Sequence, residues 1–261
     1  MARDARWVGG TYALYSTEAN TLFAAMTIAP SVTRKRVIDN LIVDLKANSV
    51  WAELDGLAVF AAHHRQAALL NWKNPGTFNF TETNNPGHAV DQGYYSNAIN
   101  AYLANTYNLS SSGGQYAQNA ASIFAWSNAS GQDSKAMMGL ASGTGSPGMR
   151  LYSRYTDDNH YYTVNSASED SYADTDGKGF YSVSRRGGTS VEAYKNGVSK
   201  ATSARASIAL PNDTISLLAE GVSYHSGVVM CAGWGDQMTT AMHLALYNAL
   251  HTYMQAVAGI A

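Results

Sequence analysis

Apolar residues at Val37, Ile38, Leu41, Ile42 and Leu45 recur with the turn of an α-helix, and Arg34, Lys35, Asp39 and Lys46 fall on the opposite side. The spacing predicts a helix after Pro30, capped by Thr33 and broken at Asn48-Ser49. Val50, Trp51 and Leu54 then predict a second short turn that buries its indole against the first helix. Gly56 to Ala62 is short and apolar enough for a buried strand, and Gln66 to Trp72 returns to helical spacing until Asn74-Pro75-Gly76 stops it. From Thr77 onward the pattern changes to short runs separated by Gly, Pro, Asn and Ser. Strands are expected at Thr77–Thr83, His88–Tyr95, Ala121–Ser127, Lys135–Leu140, Met149–Tyr155, Tyr161–Asn165, Phe180–Arg185, Ala206–Leu210, Ile215–Glu220 and Val228–Ala232. Many short strands with no helices between them argue for an antiparallel sandwich or barrel rather than a βαβ fold. The chain closes on a helix from about Thr240 to Val257, with Met242, Leu246, Leu250 and Tyr253 on its buried stripe and His243, Asn248, His251 and Gln255 opposite, toward solvent or a neighbour.

The firmest local signal is Asn196-Gly197, between Val191–Tyr194 and Val198–Ala201. An Asn-Gly pair supplies the two positive-φ positions of a type I′ turn, which pairs Lys195 with Val198 and Tyr194 with Ser199. Residues Met1 to Met26 form an irregular arm carrying Trp7, Tyr12 and Tyr15, and those rings predict docking on the body or on a neighbouring subunit. Three parts are expected: an arm (1–26), a helical lead-in (27–74) and a sandwich with its terminal helix (75–261).

Composition narrows the partners. Apolar residues make up 46% of the 261, enough for a large core, but charged residues are only 14%, against about 25% in an average soluble protein. With a net charge of −2 the chain offers no footprint for nucleic acid or anionic lipid. No window reaches the ~18 apolar residues of a membrane span, and the start lacks a signal-peptide h-region, so synthesis and folding in a cytoplasm are expected. Cys231 stands alone among Val229, Met230 and Ala232, which makes it a core residue rather than a nucleophile.

A resemblance then emerges from ordered pieces: QAALLNWKNPG (Gln66–Gly76), HAVDQGYY (His88–Tyr95), YKNGV (Tyr194–Val198), LLAEG (Leu217–Gly221) and ALYNALHTYM near the end. Together they resemble the concanavalin A-like, laminin-G-type jelly-roll proteins found among tailed-bacteriophage structural and tail proteins. RKRVIDNLIVDLKANSVWAELD (Arg34–Asp55) looks like the small helical element that precedes the domain in those proteins, so the likeness covers about Leu22 to Ala261. It implies a mainly β fold: an antiparallel jelly-roll sandwich with a helical lead-in and a C-terminal helix. It also implies a virion structural protein, a capsid decoration or a tail or fibre component, whose partners are other virion proteins and copies of itself. Glycan binding is an ability of the wider fold. The alternative is a carbohydrate-binding module or a glycan-degrading enzyme of the same fold.

Catalysis is not expected. Glucanases of this architecture carry an acidic E-x-D-x-E or E-x-D-x-x-E strand, because two carboxylates must flank the scissile bond. Here Glu53-Leu54-Asp55 runs into Gly56-Leu57-Ala58 within the lead-in. Asp170, Asp174, Asp176 and Gly177 resemble a calcium loop but fail the EF-hand pattern, and a solvated acidic loop is expected. His63-His64 lacks ligand partners at metal spacing, so no metal or cofactor is assigned. The residues that suit a sugar are Tyr155, Asp157, Asp158, Asn159, His160 and Tyr161, which place carboxylates, an amide and an imidazole between rings, with Trp126 and Tyr224 as similar material. The same residue types are ordinary turn formers, so turn chemistry and intersubunit contact stand beside the glycan reading.

Overall fold

A computed structural model of the protein describes the backbone of residues 6–8, 11–143 and 146–260, with side chains from residue 14. Strands β1 (Arg6–Val8) and β2 (Thr11–Ala13) pair with each other. The expected contacts of Trp7 and Tyr12 lie outside the described side chains. Tyr15 packs edge-on against Phe23 of α1 (Thr17–Ala25), 5.4 Å between centroids, so this ring is used by its own segment. Helix α2 (Val32–Ala47) starts at Ser31 rather than Thr33, with Ser31 Oγ accepting from the Arg34 amide, and buries Ile38, Leu41, Ile42 and Leu45. The turn α3 (Val50–Glu53) leads directly into β3 (Leu54–Val59), while α4 (Arg65–Ala68) is shorter than its spacing suggests because His64 and Leu69 bound it closely.

The body is a two-sheet antiparallel sandwich. Its strands in chain order are β4 (Thr81–Thr83), β5 (Gly87–Ala89), β6 (Gly93–Tyr95), β7 (Tyr102–Asn108), β8 (Ala120–Ser127), β9 (Met138–Leu140), β10 (Gly148–Leu151), β11 (Asn159–Ser166) and β12 (Asp170–Ala173). There follow β13 (Gly179–Arg186), β14 (Val191–Lys195), β15 (Val198–Ser203), β16 (Thr214–Leu217), β17 (Ala219–Glu220), β18 (Ser223–Tyr224), β19 (Val228–Gly235) and helix α5 (Thr240–Ala258). The first sheet runs β12-β11-β10-β9-β16-β7-β4, and the second runs β15-β14-β13-β8-β19-β6-β5 with β3 also on β19. Inward-facing Leu103, Met138, Met149, Leu151, Tyr162 and Ile215 of the first sheet meet Ile123, Val183, Ala232 and Trp234 of the second, all essentially inaccessible. Alternation along each strand gives this directly, since successive side chains point to opposite faces.

Two sequence expectations need correction. Ala206–Leu210 is not a strand: Ser207 and Ile208 each donate one backbone hydrogen bond, to Gly188 and Asn165, with no ladder. In α5, His243 faces inward, because the helix is held between α2 and the outer face of the second sheet and has two buried sides. His243 is fully buried, stacks on Tyr194 at 4.0 Å and meets Ser182 Oγ at 2.9 Å. His251 stacks on Trp126 nearly parallel, at 6.0 Å. Beneath this helix the hairpin β14–β15 turns at Asn196 (φ 53°) and Gly197 (φ 74°) with Lys195 opposite Val198 and Tyr194 opposite Ser199, as the Asn-Gly signal predicts.

Candidate glycan-contact surface

The loop joining β10 to β11 is built by its own polar residues. Asp158 adopts φ 61°, and the Asn159 carbonyl accepts from the Tyr155 amide at 2.7 Å. Asp157 accepts from the Asn159 amide at 3.2 Å and from the Tyr161 hydroxyl at 2.8 Å. Asp158 is gripped by Gln132 at 2.6 Å and Arg154 at 2.7 Å. These hydrogen bonds hold both carboxyls below the usual carboxylate range, Tyr161 acting chiefly on Asp157, and Gln132 followed by Arg154 on Asp158. The two acids therefore shape the turn, which presents Thr156 and Asp157 beside partly exposed aromatic rings. Tyr152, Tyr155 and Tyr161 meet edge-to-face in one cluster with centroids 5.2–6.2 Å apart, Tyr155 and Tyr161 half-exposed.

Next to this cluster, on the same outer face of the first sheet, Arg150 lies between Glu169 at 3.0 Å and Glu220 at 2.9 Å. Burial raises the Glu220 carboxyl above its ordinary range, with Arg150 pulling it partly back, and burial beside these carboxylates also raises the Tyr152 hydroxyl. Glu220 reaches this position because the β17–β18 hairpin folds over Gly139, where an added Cβ would sit 3.0 Å from the Glu220 Cβ. Tyr224, on the same hairpin, pairs with Tyr102 at 6.2 Å. Four inter-strand steps separate β11 from β7, so the Tyr102–Tyr224 pair stands about 19 Å from the Tyr161 end.

Of the residues chosen from sequence, Tyr155, Asp157, Asp158, Asn159 and Tyr161 are thus brought together, and Tyr224 lies farther along the same face. Trp126 and His160 do not belong there. Trp126 is 3% exposed because α5 roofs its side of the second sheet, where it stacks on Tyr247 and His251. His160 is fully buried because alternation sends Tyr161 outward and His160 between the sheets, 4.6 Å from the Tyr181 ring. Its Nδ1–H donates to the Ser153 carbonyl at 3.2 Å, which leaves Nε2 without a donor, and burial lowers its pKa to about 4. Sequence reasoning missed Tyr102, Arg150, Tyr152, Glu169 and Glu220. The i, i+2 spacing of Arg150 and Tyr152 in a strand-like run was the available signal; β7, which carries Tyr102, was not recognised as a strand.

The other candidate chemistry is occupied internally. Lys195 donates to both oxygens of Asp174 at 2.6 and 2.8 Å, standing where a cation in the acidic loop would sit, and Asp170 pairs with Arg205 at 2.8 Å. His63 meets the Ile28 carbonyl at 2.9 Å and His64 Nδ1 accepts from the Gln66 amide at 3.3 Å. Among the described residues no group of three or more His, Cys, Asp or Glu side chains is placed to hold a metal ion, and no helix is long and apolar enough to cross a membrane. Cys231 is buried and its thiol is pushed up by burial. A thiol reagent should therefore leave the folded protein unlabelled and modify it only in denaturant; rapid labelling under native conditions would contradict this placement.

No family model and no curated protein sequence matches the chain. Solved structures do. Domain 4 of AbnA, an extracellular arabinanase from Geobacillus stearothermophilus solved with arabinotriose, aligns over 74% of this chain and 98% of its own length, at 14% identity and a TM-score of 0.53. Trypanosoma rangeli sialidase in complex with sialic acid aligns over 84% of this chain at 10% identity and a TM-score of 0.57, and the botulinum neurotoxin serotype D binding domain over 77% at 11% identity and 0.54. The chain spans 39% of that sialidase and 52% of that toxin domain. At these identities the likeness is one of fold, and it establishes the β-sandwich.

Proposed function

We propose that this protein is a glycan-binding sandwich that holds sugars on the outer face of its first sheet without cleaving them. The observation that carries the reading is the half-exposed Tyr155–Tyr161 pair, with the Tyr161 hydroxyl held by Asp157 and with Arg150 and Glu220 beside it. Sugars bind proteins by laying their C–H faces on aromatic rings while planar polar groups take their hydroxyls, and this surface has both. The arabinanase domain and the sialidase named above were solved with sugars bound, which supports the reading without transferring a site. Against turnover, Glu169 and Glu220 are both engaged by Arg150, so neither is free to divide acid and base roles with the other.

A place on a bacteriophage virion, among other virion proteins and further copies of itself, rests on the sequence resemblance. In that setting binding that is weak per site becomes useful, because many copies raise avidity by about 10²–10⁴. The test is retention of the purified protein on immobilised neutral and host-envelope glycans, with release of reducing ends followed in parallel. Tyr161→Ala should weaken retention roughly fivefold, the equivalent of ~1 kcal/mol for one aromatic platform. Equal retention of parent and variant would remove this surface from the reading. Reducing ends that appear with the parent and vanish in Glu220→Gln would make the protein an enzyme.

A further inference from the structure

A concavity of about 430 Å³ opens between β12 and β15, the edge strands of the two sheets on the same side of the sandwich. Its volume falls in the ~300–1,000 Å³ range of small-molecule sites. At its floor is the Asp174–Lys195 pair, whose carboxylate oxygens are already used. Asp174 accepts two hydrogen bonds from Lys195, one from the Tyr181 hydroxyl at 2.8 Å and one from the Asp176 amide at 3.2 Å, while the Asp176 carbonyl takes Tyr181 at 3.0 Å and also Lys195. The groups still open are donors. Lys178 and Lys200 line the walls and form no ion pair among the described residues. Tyr172 also lines the cleft, with its hydroxyl buried out of a ligand's reach. Asn196 spends its Oδ1 on the Phe180 amide at 2.9 Å, which leaves its NH₂ to the cleft. The wall also holds the exposed Asp176 carboxylate, whose Oδ1 accepts from the Lys178 amide at 3.0 Å. Three lysines against two aspartates leave the lining with one net positive charge.

With two unpaired lysines, an open amide NH₂ and one surplus positive charge set against the Asp176 carboxylate, the cleft favours a negatively charged ligand rich in acceptors. We infer that this cleft is a binding site for an anionic sugar unit, carboxylated or sulfated, whose charged group lies between Lys178 and Lys200 and whose ring packs on Tyr172. That the ligand is a sugar rests on the glycan reading given above; that it is an anion rests on this cleft alone. The site adjoins the β10–β11 loop, the Asp174 amide donating to the Asp158 carbonyl at 2.8 Å, but Lys178 and Lys200 belong to other segments than Tyr155 and Tyr161, so the two can be separated by mutation.

The experiment titrates the full chain with labelled tetragalacturonate, with a sulfated galactan tetramer and with a neutral galactose tetramer, at low and at high salt. The expected result is saturable binding of one or both anionic probes but not of the neutral one, weakened at high salt. The better of the two anionic probes assigns carboxylate or sulfate. The double substitution Lys178→Ala/Lys200→Ala should weaken that binding about tenfold, whereas Lys178→Arg/Lys200→Arg should retain most of it. Both lysines are exposed and unpaired, so melting of the variants should match the parent. Tyr161→Ala should leave anion binding unchanged, and anion binding that survives when neutral glycans are not retained would support the cleft while refuting the tyrosine surface. Failure of both anionic probes to bind, or tight binding by the alanine variant, would overturn the inference.

Discussion

Lowering the pH from 7 to 4 should destabilise the folded protein by several kcal/mol, with His160 and His243 as the main cause. Both imidazoles are fully buried, one between the sheets and one beneath α5, and burial depresses their pKa values to about 4 and about 3. An unfolded chain titrates its histidines near 6.5. Between that value and the folded one, the unfolded state binds a proton that the native state refuses, so stability present at neutral pH drains away as the pH falls. Each ring accounts for roughly 3 kcal/mol by pH 4. Asp133, held down to about 2 by the His225 and Ser226 hydrogen bonds against the opposing effect of its burial, adds a loss of the same sign at still lower pH. Glu220, pushed upward by burial, offsets part of it. Denaturant midpoints at pH 7 and pH 4 measure the whole effect, and the same pair for His160→Phe isolates one ring. The variant should lose about 1 kcal/mol at neutral pH, where the Ser153 carbonyl is left without its donor, and should equal or exceed the parent at pH 4. Equal midpoints for the parent at the two pH values would refute the assignment.

Gly197→Val should cost at least about 2 kcal/mol, for two independent reasons. A β-branched residue at φ 74° is a backbone outlier worth about 1–2 kcal/mol. A Cβ there would also come within 2.8 Å of the Leu244 Cα and 3.2 Å of the Tyr247 Cβ, so the turn would push against the backbone of α5. A chain of this size should then melt about 4–8 °C lower. Gly197→Ala isolates the cost of the β-branch, because it keeps both the positive φ and the close approach to Leu244. A melting temperature unchanged in Gly197→Val would mean that neither the turn type nor the helix contact is as described.

Much of the sandwich was legible because its signals are local. Asn196-Gly197 needs no tertiary context to specify its turn, and Val37 to Leu45 announces a helix face by spacing alone. Ser31 was passed over as the cap because Thr33 is equally competent chemically, and only the backbone path decides between them. Two strands of the main sheets, β7 and β12, carry weak signals of their own: Tyr102-Leu-Ala-Asn-Thr-Tyr-Asn108 has two Asn and only one β-branched residue, and Asp170-Ser-Tyr-Ala173 is short and half polar. The site was half legible for a related reason. Tyr155 to Tyr161 sits on one turn and could be seen as a unit, but Glu169 and Glu220 reach Arg150 from segments 19 and 70 residues away. Trp126 and His160 misled because aromatic and imidazole rings serve a core as well as a binding face, and burial is decided by what lies across the sheet.

The roof that α5 and α2 place over the second sheet gives this sandwich a back and a front. Among the described residues no matching layer lies over the β11–β12 end of the first sheet, where Tyr161 is half-exposed and Ser171 exposed. Orientation therefore decides whether an attached copy can work. Tethered to a bead or a sensor chip through a cysteine introduced at Arg36 on α2, the molecule would turn its tyrosines to the bulk; tethered at Ser171 it would hide them against the support.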